Sequence, residues 1–187
     1  MIPFRVRRES ARMVMVDVQE RLLPAIFGFE SVRRNTVKLA RAAQVMSVPF
    51  FYTEQYPKGL GATDSEILAA LPQDAPRFEK TSFSCCDEEG FESLLASRDR
   101  PVTVIFGIET HICILATVLD LLEKGRSVVL AADACGSRDP EKSDMALAAM
   151  SDAGALVVPS ETVIYHLMGR SGTPEFKELL PLFKEQD

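Results

Sequence analysis

The chain has 187 residues, of which 47% are hydrophobic and 26% charged, so it can bury one sizeable core but is short for two full domains. We expect a single domain that spans residues 1–187. The net charge is −6 at pH 7 and the basic residues are scattered, which argues against binding of nucleic acid through its phosphates.

Neither a targeting segment nor a membrane span is evident. The N-terminal sequence MIPFRVRRES is basic but lacks the apolar run of a signal peptide, and no charge-free apolar stretch approaches the ~18 residues of a transmembrane helix. The four cysteines lie at positions 85, 86, 113 and 135, without the CxxC or CxxH spacing of a zinc site. We therefore expect a cytoplasmic protein with reduced thiols and no membrane partner.

Apolar runs typical of buried strands alternate with helical patterns along the chain. The runs cover residues 12–18, 49–54, 77–80, 101–107, 127–133 and 155–159. Helices are predicted at residues 31–46, 112–124, 160–168 and 174–185, and from Asp139 and Pro140 to Gly154. Two short helices are predicted to begin at a capping box of Thr63 and Glu66 and at Asp87. Strands that are apolar throughout and separated by helices predict a doubly wound parallel α/β sheet with helices on both faces.

Three side chains of complementary chemistry are predicted at one edge of this sheet. Asp17 closes the first strand, Lys80 closes the third, and Cys113 lies in the first turn of the helix that follows the fourth. Ligands of doubly wound sheets bind beyond the carboxyl ends of the strands, where these residues fall. A nucleophilic thiol needs a proton acceptor and a positive charge beside its anion, and the positive end of a helix is expected to lower its pKa.

Each of the three residues also has a structural interpretation. Asp17 would suit a turn or a helix cap, Lys80 would suit the surface, and Cys113 would suit the core as a small apolar residue. The other thiols, Cys85 and Cys86, are interpreted as packing residues. An acid, an amine and a thiol at one edge nevertheless favour a nucleophilic site.

Five segments in order along the chain carry a resemblance to a known family. They are DVQ at 17–19, TEQYPKGLG at 53–61, EKTSFS at 79–84, GIETHICI at 107–114 and DACGSRDPEKSDMALAAMSDAGALVV at 133–158. The chain resembles the isochorismatase-like cysteine hydrolases, which include nicotinamidases, N-carbamoylsarcosine amidases and ureidoacrylate amidases, and is most similar to the isochorismatase domain-containing subgroup. The resemblance implies a three-layer α/β/α fold with six parallel strands in the order 3-2-1-4-5-6.

The resemblance also implies a site and an activity. The Asp–Lys–Cys triad of the family falls on Asp17, Lys80 and Cys113. A cis peptide bond of the family would join Ile108 to Glu109, and the N–H groups of Glu109 and Cys113 would form an oxyanion hole. The implied reaction is hydrolysis of an amide-type C–N bond in a small molecule through a thioester, without a cofactor.

Two branches of the family fit this chain less well. Nicotinamidases bind a metal through an aspartate and histidines after the second strand, where residues 53–56 of this chain read TEQY, so no metal site of that kind is expected. In the isochorismatase branch the nucleophile position is not a cysteine. Because Cys113 is present, amide hydrolysis is favoured; an isochorismatase-type or other non-amidase hydrolase, or a non-catalytic scaffold, is the alternative.

The surroundings of the site are predicted more coarsely. Candidate pocket walls are Gln19, Phe27, Tyr56 and Phe83. The carboxylate of Glu109 is expected to point away from the thiol toward a basic group, because a second acid there would disfavour the thiolate. The helix predicted at 112–124 is apolar on most sides, which predicts coverage by a second copy and hence a homo-oligomer.

Overall fold

The computed structural model describes residues 5–184, and its centre is one sheet of six parallel strands. The strands are β1 (Ala11–Val16), β2 (Phe50–Gln55), β3 (Arg77–Lys80), β4 (Val102–Ile108), β5 (Ser127–Gly136) and β6 (Leu156–Val158). Their order is β3-β2-β1-β4-β5-β6, which confirms the predicted doubly wound fold. The order reverses between β1 and β4, so a crevice is expected beyond the carboxyl ends of these two strands.

Helices cover the sheet in two groups. The described residues contain α1 (Phe29–Met46), α2 (Pro57–Leu60), α3 (Ser65–Leu68), α4 (Phe91–Ser97), α5 (Leu115–Glu123), α6 (Pro140–Ala153), α7 (Ser160–Met168) and α8 (Pro174–Leu179). Helix α1 contacts α3, α7 and α8, whereas α5 contacts α6. Every residue of β1 and β4 is buried, as expected for strands covered on both faces. None of the helices within residues 5–184 is long and apolar enough to cross a membrane.

Two predicted helix caps are wrong. Asp64, not Thr63, caps α3, because its carboxylate accepts hydrogen bonds from two N–H groups of the first turn. Thr63 instead donates its N–H and its hydroxyl to Glu54. Asp87 lies in a short 3-10 turn, and α4 begins only after Gly90. Both errors arise because several capping residues stand close together and tertiary contacts choose between them.

Two predicted helices are each divided into two parts. The segment predicted as one helix at 112–124 begins with a π-helical turn, Thr110–Ile114, and continues as α5. The segment predicted at 174–185 is α8 followed by a 3-10 turn, Leu180–Phe183; residue 185 lies outside the described residues. The first of these matters for function, because π-helical turns occur often at functional sites and this one contains Cys113.

Gly107 on β4 leaves room for the backbone of β1. This residue has φ +127° and is the register partner of Val16. A Cβ atom at Gly107 would lie 2.1 Å from the carbonyl oxygen of Val16, so no other residue fits without moving both strands.

Replacement of Gly107 by alanine is therefore expected to lower the free energy of unfolding by more than about 3 kcal/mol, because both the φ angle and the contact are unfavourable. Urea denaturation followed by circular dichroism measures this loss. Gly125→Ala is the matched control: its φ is +73° but nothing lies within 4 Å of the added carbon, so a loss of about 1–2 kcal/mol is expected. Equal losses in the two variants would contradict the steric argument.

Candidate active site

Asp17 and Lys80 form a buried ion pair at the carboxyl edge of the sheet. The Nζ atom of Lys80 lies 2.6 Å from Oδ2 of Asp17, and the two side chains are 0% and 1% exposed. Asp17 directly follows β1 and turns out of the strand with φ +55°, a conformation that aspartate adopts more readily than most residues. Lys80 ends β3, two strands away, so its side chain reaches past the end of β2.

Cys113 is the third member of this group. It lies in the π-helical turn after β4 and is 7% exposed. Its thiol lies close enough to Asp17 and Lys80 for both groups to shift its pKa. The structure therefore brings together the acid, the amine and the thiol that the sequence places on three separate segments.

The Cys113 thiol is protonated at neutral pH. Burial raises its pKa to about 12, the Asp17 carboxylate adds to this increase, and the Lys80 ammonium opposes it without cancelling it. The expectation that the helix N-terminus lowers this pKa is wrong, because the sulfur is enclosed and has a carboxylate beside it. Asp17 is thus the neighbouring group that can accept the thiol proton.

Lys80 keeps its positive charge despite its burial. Burial alone would lower its pKa, but the charge and hydrogen bond of Asp17 and the anionic forms of Cys85 and Cys113 together outweigh that effect and leave the pKa raised. Cys85, interpreted from the sequence as a packing residue, is indeed fully buried, and it also lies close enough to Lys80 to interact with its charge. The ammonium therefore supplies positive charge to two sulfur atoms.

Two residues at the end of β2 complete the contacts of the ion pair. The hydroxyl of Thr53 donates to Oδ1 of Asp17 at 2.6 Å, and Oε1 of Gln55 accepts from Nζ of Lys80 at 2.6 Å. Neither residue is among the sequence-predicted site residues. Their place at the carboxyl end of β2 could have identified them from the sequence. Strand β2 lies between β1 and β3, so its carboxyl end must face the same crevice.

Gln19 does not line the pocket as predicted. It is fully buried, and its side chain is occupied by backbone groups. Its Oε1 accepts from the N–H of Gln55 at 2.8 Å, and its Nε2 donates to the carbonyls of Gln55 at 3.0 Å and Gly61 at 2.7 Å. Gln19 therefore fixes the end of β2 beneath the site.

The three aromatic residues predicted as pocket walls have exposed side chains. Phe27, Tyr56 and Phe83 are 68%, 55% and 65% exposed. Two of them contact Lys80 through the backbone: the N–H of Tyr56 donates to the carbonyl of Lys80, and the carbonyl of Phe83 accepts from the Nζ of Lys80. Their rings are thus exposed rather than packed in the core.

The Glu109 carboxylate points away from the thiol, which confirms the prediction. It accepts hydrogen bonds from the backbone N–H of Arg138 at 3.0 Å and from its Nε at 3.1 Å. The peptide bond between Ile108 and Glu109 is cis. The Glu109–Arg138 pair thereby ties the loop after β4 to the loop after β5.

The residues that replace the metal ligands of nicotinamidases are already engaged by the protein. Thr53 and Gln55 bind the ion pair, and the fully buried carboxylate of Glu54 binds Thr63 and Arg77. Among residues 5–184, no three His, Cys, Asp or Glu side chains are grouped as metal ligands. This strand end therefore does not fit a nicotinamidase-type metal.

Comparison with known proteins agrees with this geometry. The isochorismatase domain model matches residues 11–162, which include all six strands and the three clustered side chains. The chain belongs to the isochorismatase family. Among its family relatives, isochorismatase domain-containing protein 2 of Xenopus laevis is 38% identical over 176 residues, or 94% of this chain and 84% of that protein.

Two solved structures resemble the whole chain. The structure of MAR1 ribonuclease from Caenorhabditis elegans is 34% identical with a TM-score of 0.90, and the match covers 98% of this chain and 95% of that one. YcaC from Pseudomonas aeruginosa, solved with hexane-2,5-diol and covalent acrylamide, is 26% identical with a TM-score of 0.90, and the match covers 97% and 92% of the two chains. The isochorismatase fold thus extends over nearly all of this chain.

Proposed function

We propose that residues 1–187 form a single hydrolase domain that cleaves an amide-type C–N bond of a small molecule through a thioester on Cys113, without a metal. The observation that carries this proposal is the buried Asp17–Lys80 pair in contact with the Cys113 thiol. Burial of an ion pair is costly and is seldom explained by stability alone. Beside a thiol, the pair provides a base and a counter-charge.

In the first half of the reaction, Asp17 acts as the general base. It takes the thiol proton as the sulfur of Cys113 bonds to the substrate carbonyl carbon, and the carbonyl oxygen becomes an oxyanion. The N–H groups of Glu109 and Cys113 would hold this oxyanion. The C–N bond then breaks, and the proton on Asp17 passes to the leaving nitrogen, giving an amine and a thioester.

In the second half, water replaces the amine. Asp17 takes a proton from the water as its oxygen attacks the thioester carbonyl, and the sulfur leaves with that proton as the acid product departs. Lys80 stabilises the negative charge that moves between the carboxylate and the sulfur. Asp17 and Cys113 return to their starting protonation states, so no external acid, base or cofactor is consumed.

The covalent acrylamide in the YcaC structure supports a nucleophile in this family that adds to a small electrophilic amide. Phe27, Tyr56 and Phe83 are proposed as the apolar rim that admits such a substrate, because all three rings are exposed and the backbone groups of Tyr56 and Phe83 contact Lys80. The rim sets the size and polarity of the substrate rather than the chemistry.

An activity screen across small amides, ureas and carbamates tests the proposal by following release of ammonia or amine. We expect turnover of at least one class by the parent protein and none by Cys113→Ala. A vinyl ether of the isochorismate type belongs in the same screen as the alternative substrate. Turnover of the vinyl ether alone, unchanged in Cys113→Ala, would contradict the thioester mechanism.

RNA serves as a separate substrate in that screen, because a relative is described as a ribonuclease. We expect no cleavage, since the chain carries a net charge of −6 and its basic residues are scattered along the sequence. Release of acid-soluble nucleotides that disappears in Cys113→Ala would instead make a phosphodiester the substrate.

We also propose that the protein is a homo-oligomer. Helix α5 leaves Leu119 42% exposed, with Ile112 and Leu115 only partly buried beside it, and a neighbouring copy would cover this apolar face. Light scattering should give a mass that is a multiple of 20.7 kDa, and a mass of one chain at micromolar concentration would contradict the proposal.

A cytoplasmic location is proposed on the basis of the thiols. All four cysteines are free, and one of them, Cys113, is the proposed nucleophile, which oxidation would block. A reducing compartment keeps such thiols available.

A further inference from the structure

The ammonium group of Lys80 has more hydrogen-bond acceptors around it than protons to give. Its three N–H groups face the Asp17 carboxylate and Oε1 of Gln55, each at 2.6 Å, and the carbonyls of Ser82 at 3.1 Å and Phe83 at 3.4 Å. The Cys113 sulfur lies near enough for the charge of Lys80 to act on it. Nζ of Lys80 donates hydrogen bonds to Gln55, Ser82 and Phe83 and forms an ion pair with Asp17, so none of its three protons is left for the sulfur.

Among these acceptors, Gln55 is the one whose side chain is not needed to hold the fold. The end of β2 is held by its backbone, because Gln19 binds both the N–H and the carbonyl of Gln55. The side chain makes two further contacts: Oε1 accepts from Lys80, and Nε2 donates to the carbonyl of Thr81 at 2.7 Å. A substitution at position 55 can therefore remove the lysine contact while the strand end keeps its anchor.

We propose that Gln55 is a positioning residue that holds one N–H of Lys80 away from the Cys113 sulfur, and so keeps the resting nucleophile a thiol until substrate is bound. This inference rests on the proposed cysteine hydrolase function and adds a control on the reactivity of its nucleophile. A thiol that stays protonated until Asp17 removes the proton during attack is protected from reaction with other electrophiles.

Few charged groups surround the Cys113 sulfur, so a change in the Lys80–Gln55 hydrogen bond should change the reactivity of the thiol measurably. The ionisable groups that interact with Cys113 are Asp17 at the end of β1 and Lys80 at the end of β3, with Cys85 in the 3-10 turn before α4 as a more distant group. Asp17 disfavours the thiolate and Lys80 favours it. Among these groups, Lys80 is the one that can stabilise the thiolate directly, by donating an additional N–H to the sulfur.

The test compares Gln55→Met with Gln55→Glu. Methionine has nearly the shape of glutamine but no amide oxygen, so one N–H of Lys80 is released and the thiolate, as an anion, is a stronger acceptor than a peptide carbonyl. Glutamate keeps an oxygen on Lys80 and adds a negative charge near the sulfur. Both variants lose the hydrogen bond from Nε2 to Thr81, so a purely structural role predicts changes in the same direction.

The measurement is the rate of iodoacetamide alkylation at Cys113 between pH 7 and pH 11, read by mass spectrometry of the Cys113 peptide because the chain has four cysteines. In Gln55→Met we expect about ten times more thiolate at pH 8. Because nucleophilicity falls with pKa, this corresponds to an alkylation rate about threefold above the parent. In Gln55→Glu we expect a rate about threefold or more below the parent.

Opposite shifts in the two variants support the proposal. An unchanged or slower rate in Gln55→Met, or a faster rate in Gln55→Glu, overturns it. If Gln55→Met does not fold, as judged by its melting temperature, Gln55→Leu takes its place: a rate faster than the parent supports the proposal, and an unchanged or slower rate overturns it. Alkylation needs no substrate, so the result is independent of the turnover screen, in which failure of the proposed function would appear instead.

Discussion

Replacement of Cys113 by alanine is expected to abolish hydrolysis of any amide, urea or carbamate that the parent protein turns over. Removal of a covalent nucleophile typically costs a factor of about 10⁴ or more, because the remaining site can only bind substrate and stabilise an oxyanion. The fold should survive, since only one sulfur atom leaves a position that is 7% exposed, and we expect the free energy of unfolding to fall by about 1 kcal/mol. The measurement is kcat under saturating substrate, with urea denaturation alongside.

Two further variants make this result specific to the nucleophile. Cys113→Ser keeps a side chain of similar size, but a hydroxyl loses its proton far less readily than a thiol, so activity should fall almost as far as in the alanine variant. Cys86→Ala removes a thiol that is half-buried and interacts with Lys124, Glu92 and Asp120 instead of the ion pair, so activity should stay within about twofold of the parent. Turnover by Cys113→Ala at the parent rate, with purity established, would exclude a thioester on this residue.

The position of Cys113 could be predicted because it depends on topology. Apolar runs fix six strands, parallel strands bring their carboxyl ends to one edge, and Asp17, Lys80 and Cys113 each stand at such an end. The direction of the Glu109 side chain also follows, since a carboxylate cannot stay unpaired beside a thiolate, and Arg138 is the group that it meets. These inferences need only the sheet order and the cost of burying charge.

The protonation state of the thiol could not be predicted in the same way. The sequence places Cys113 after a strand, where a helix N-terminus would favour the thiolate, but its pKa depends on how completely the sulfur is enclosed and how close Asp17 lies. Gln55 and Thr53 were missed for a related reason: many polar residues end strands, and only packing shows which of them touch the ion pair. Gln19 shows the opposite error: it was predicted as a pocket residue, but its amide is hydrogen-bonded to backbone groups.

Replacement of Lys80 by methionine is expected to lower the free energy of unfolding by about 3–5 kcal/mol. The substitution keeps the length of the side chain but leaves the Asp17 carboxylate buried without a cation, and loss of one partner from a buried pair typically has this cost. Turnover should be lost as well, because the negative charge on sulfur is no longer balanced. Urea denaturation at pH 7, followed by circular dichroism, measures the first effect.

The pH dependence of this loss has a definite sign. The pKa of Lys80 is raised in the folded protein, so its contribution to stability is complete at neutral pH and is lost only as the pH rises through its folded value, above the ordinary range of lysine. The difference in stability between the parent and Lys80→Met should therefore stay constant through neutral pH and shrink as the pH rises above 10.5, the ordinary pKa of lysine.

Asp17→Asn, Lys80→Met and the double variant together form a double-mutant cycle. This cycle measures the interaction energy between the two side chains. In the double variant no unpaired charge is left in the site, so its loss of stability should be smaller than the sum of the two single losses by more than about 1 kcal/mol. A loss equal to that sum would mean that the two side chains do not interact energetically. Their short distance would then carry no stabilisation.

Lys124→Met is the matched control for burial. Lys124 pairs with Glu92 at 2.8 Å, close to the 2.6 Å of the Asp17–Lys80 contact, but its side chain is 43% exposed. Water solvates the glutamate when this lysine is removed, so the loss should stay below about 1 kcal/mol. Equal losses in Lys80→Met and Lys124→Met would mean that the pair at the sheet edge is as hydrated as a surface pair. Asp17 would then be no better a proton acceptor for Cys113 than a carboxylate on the surface.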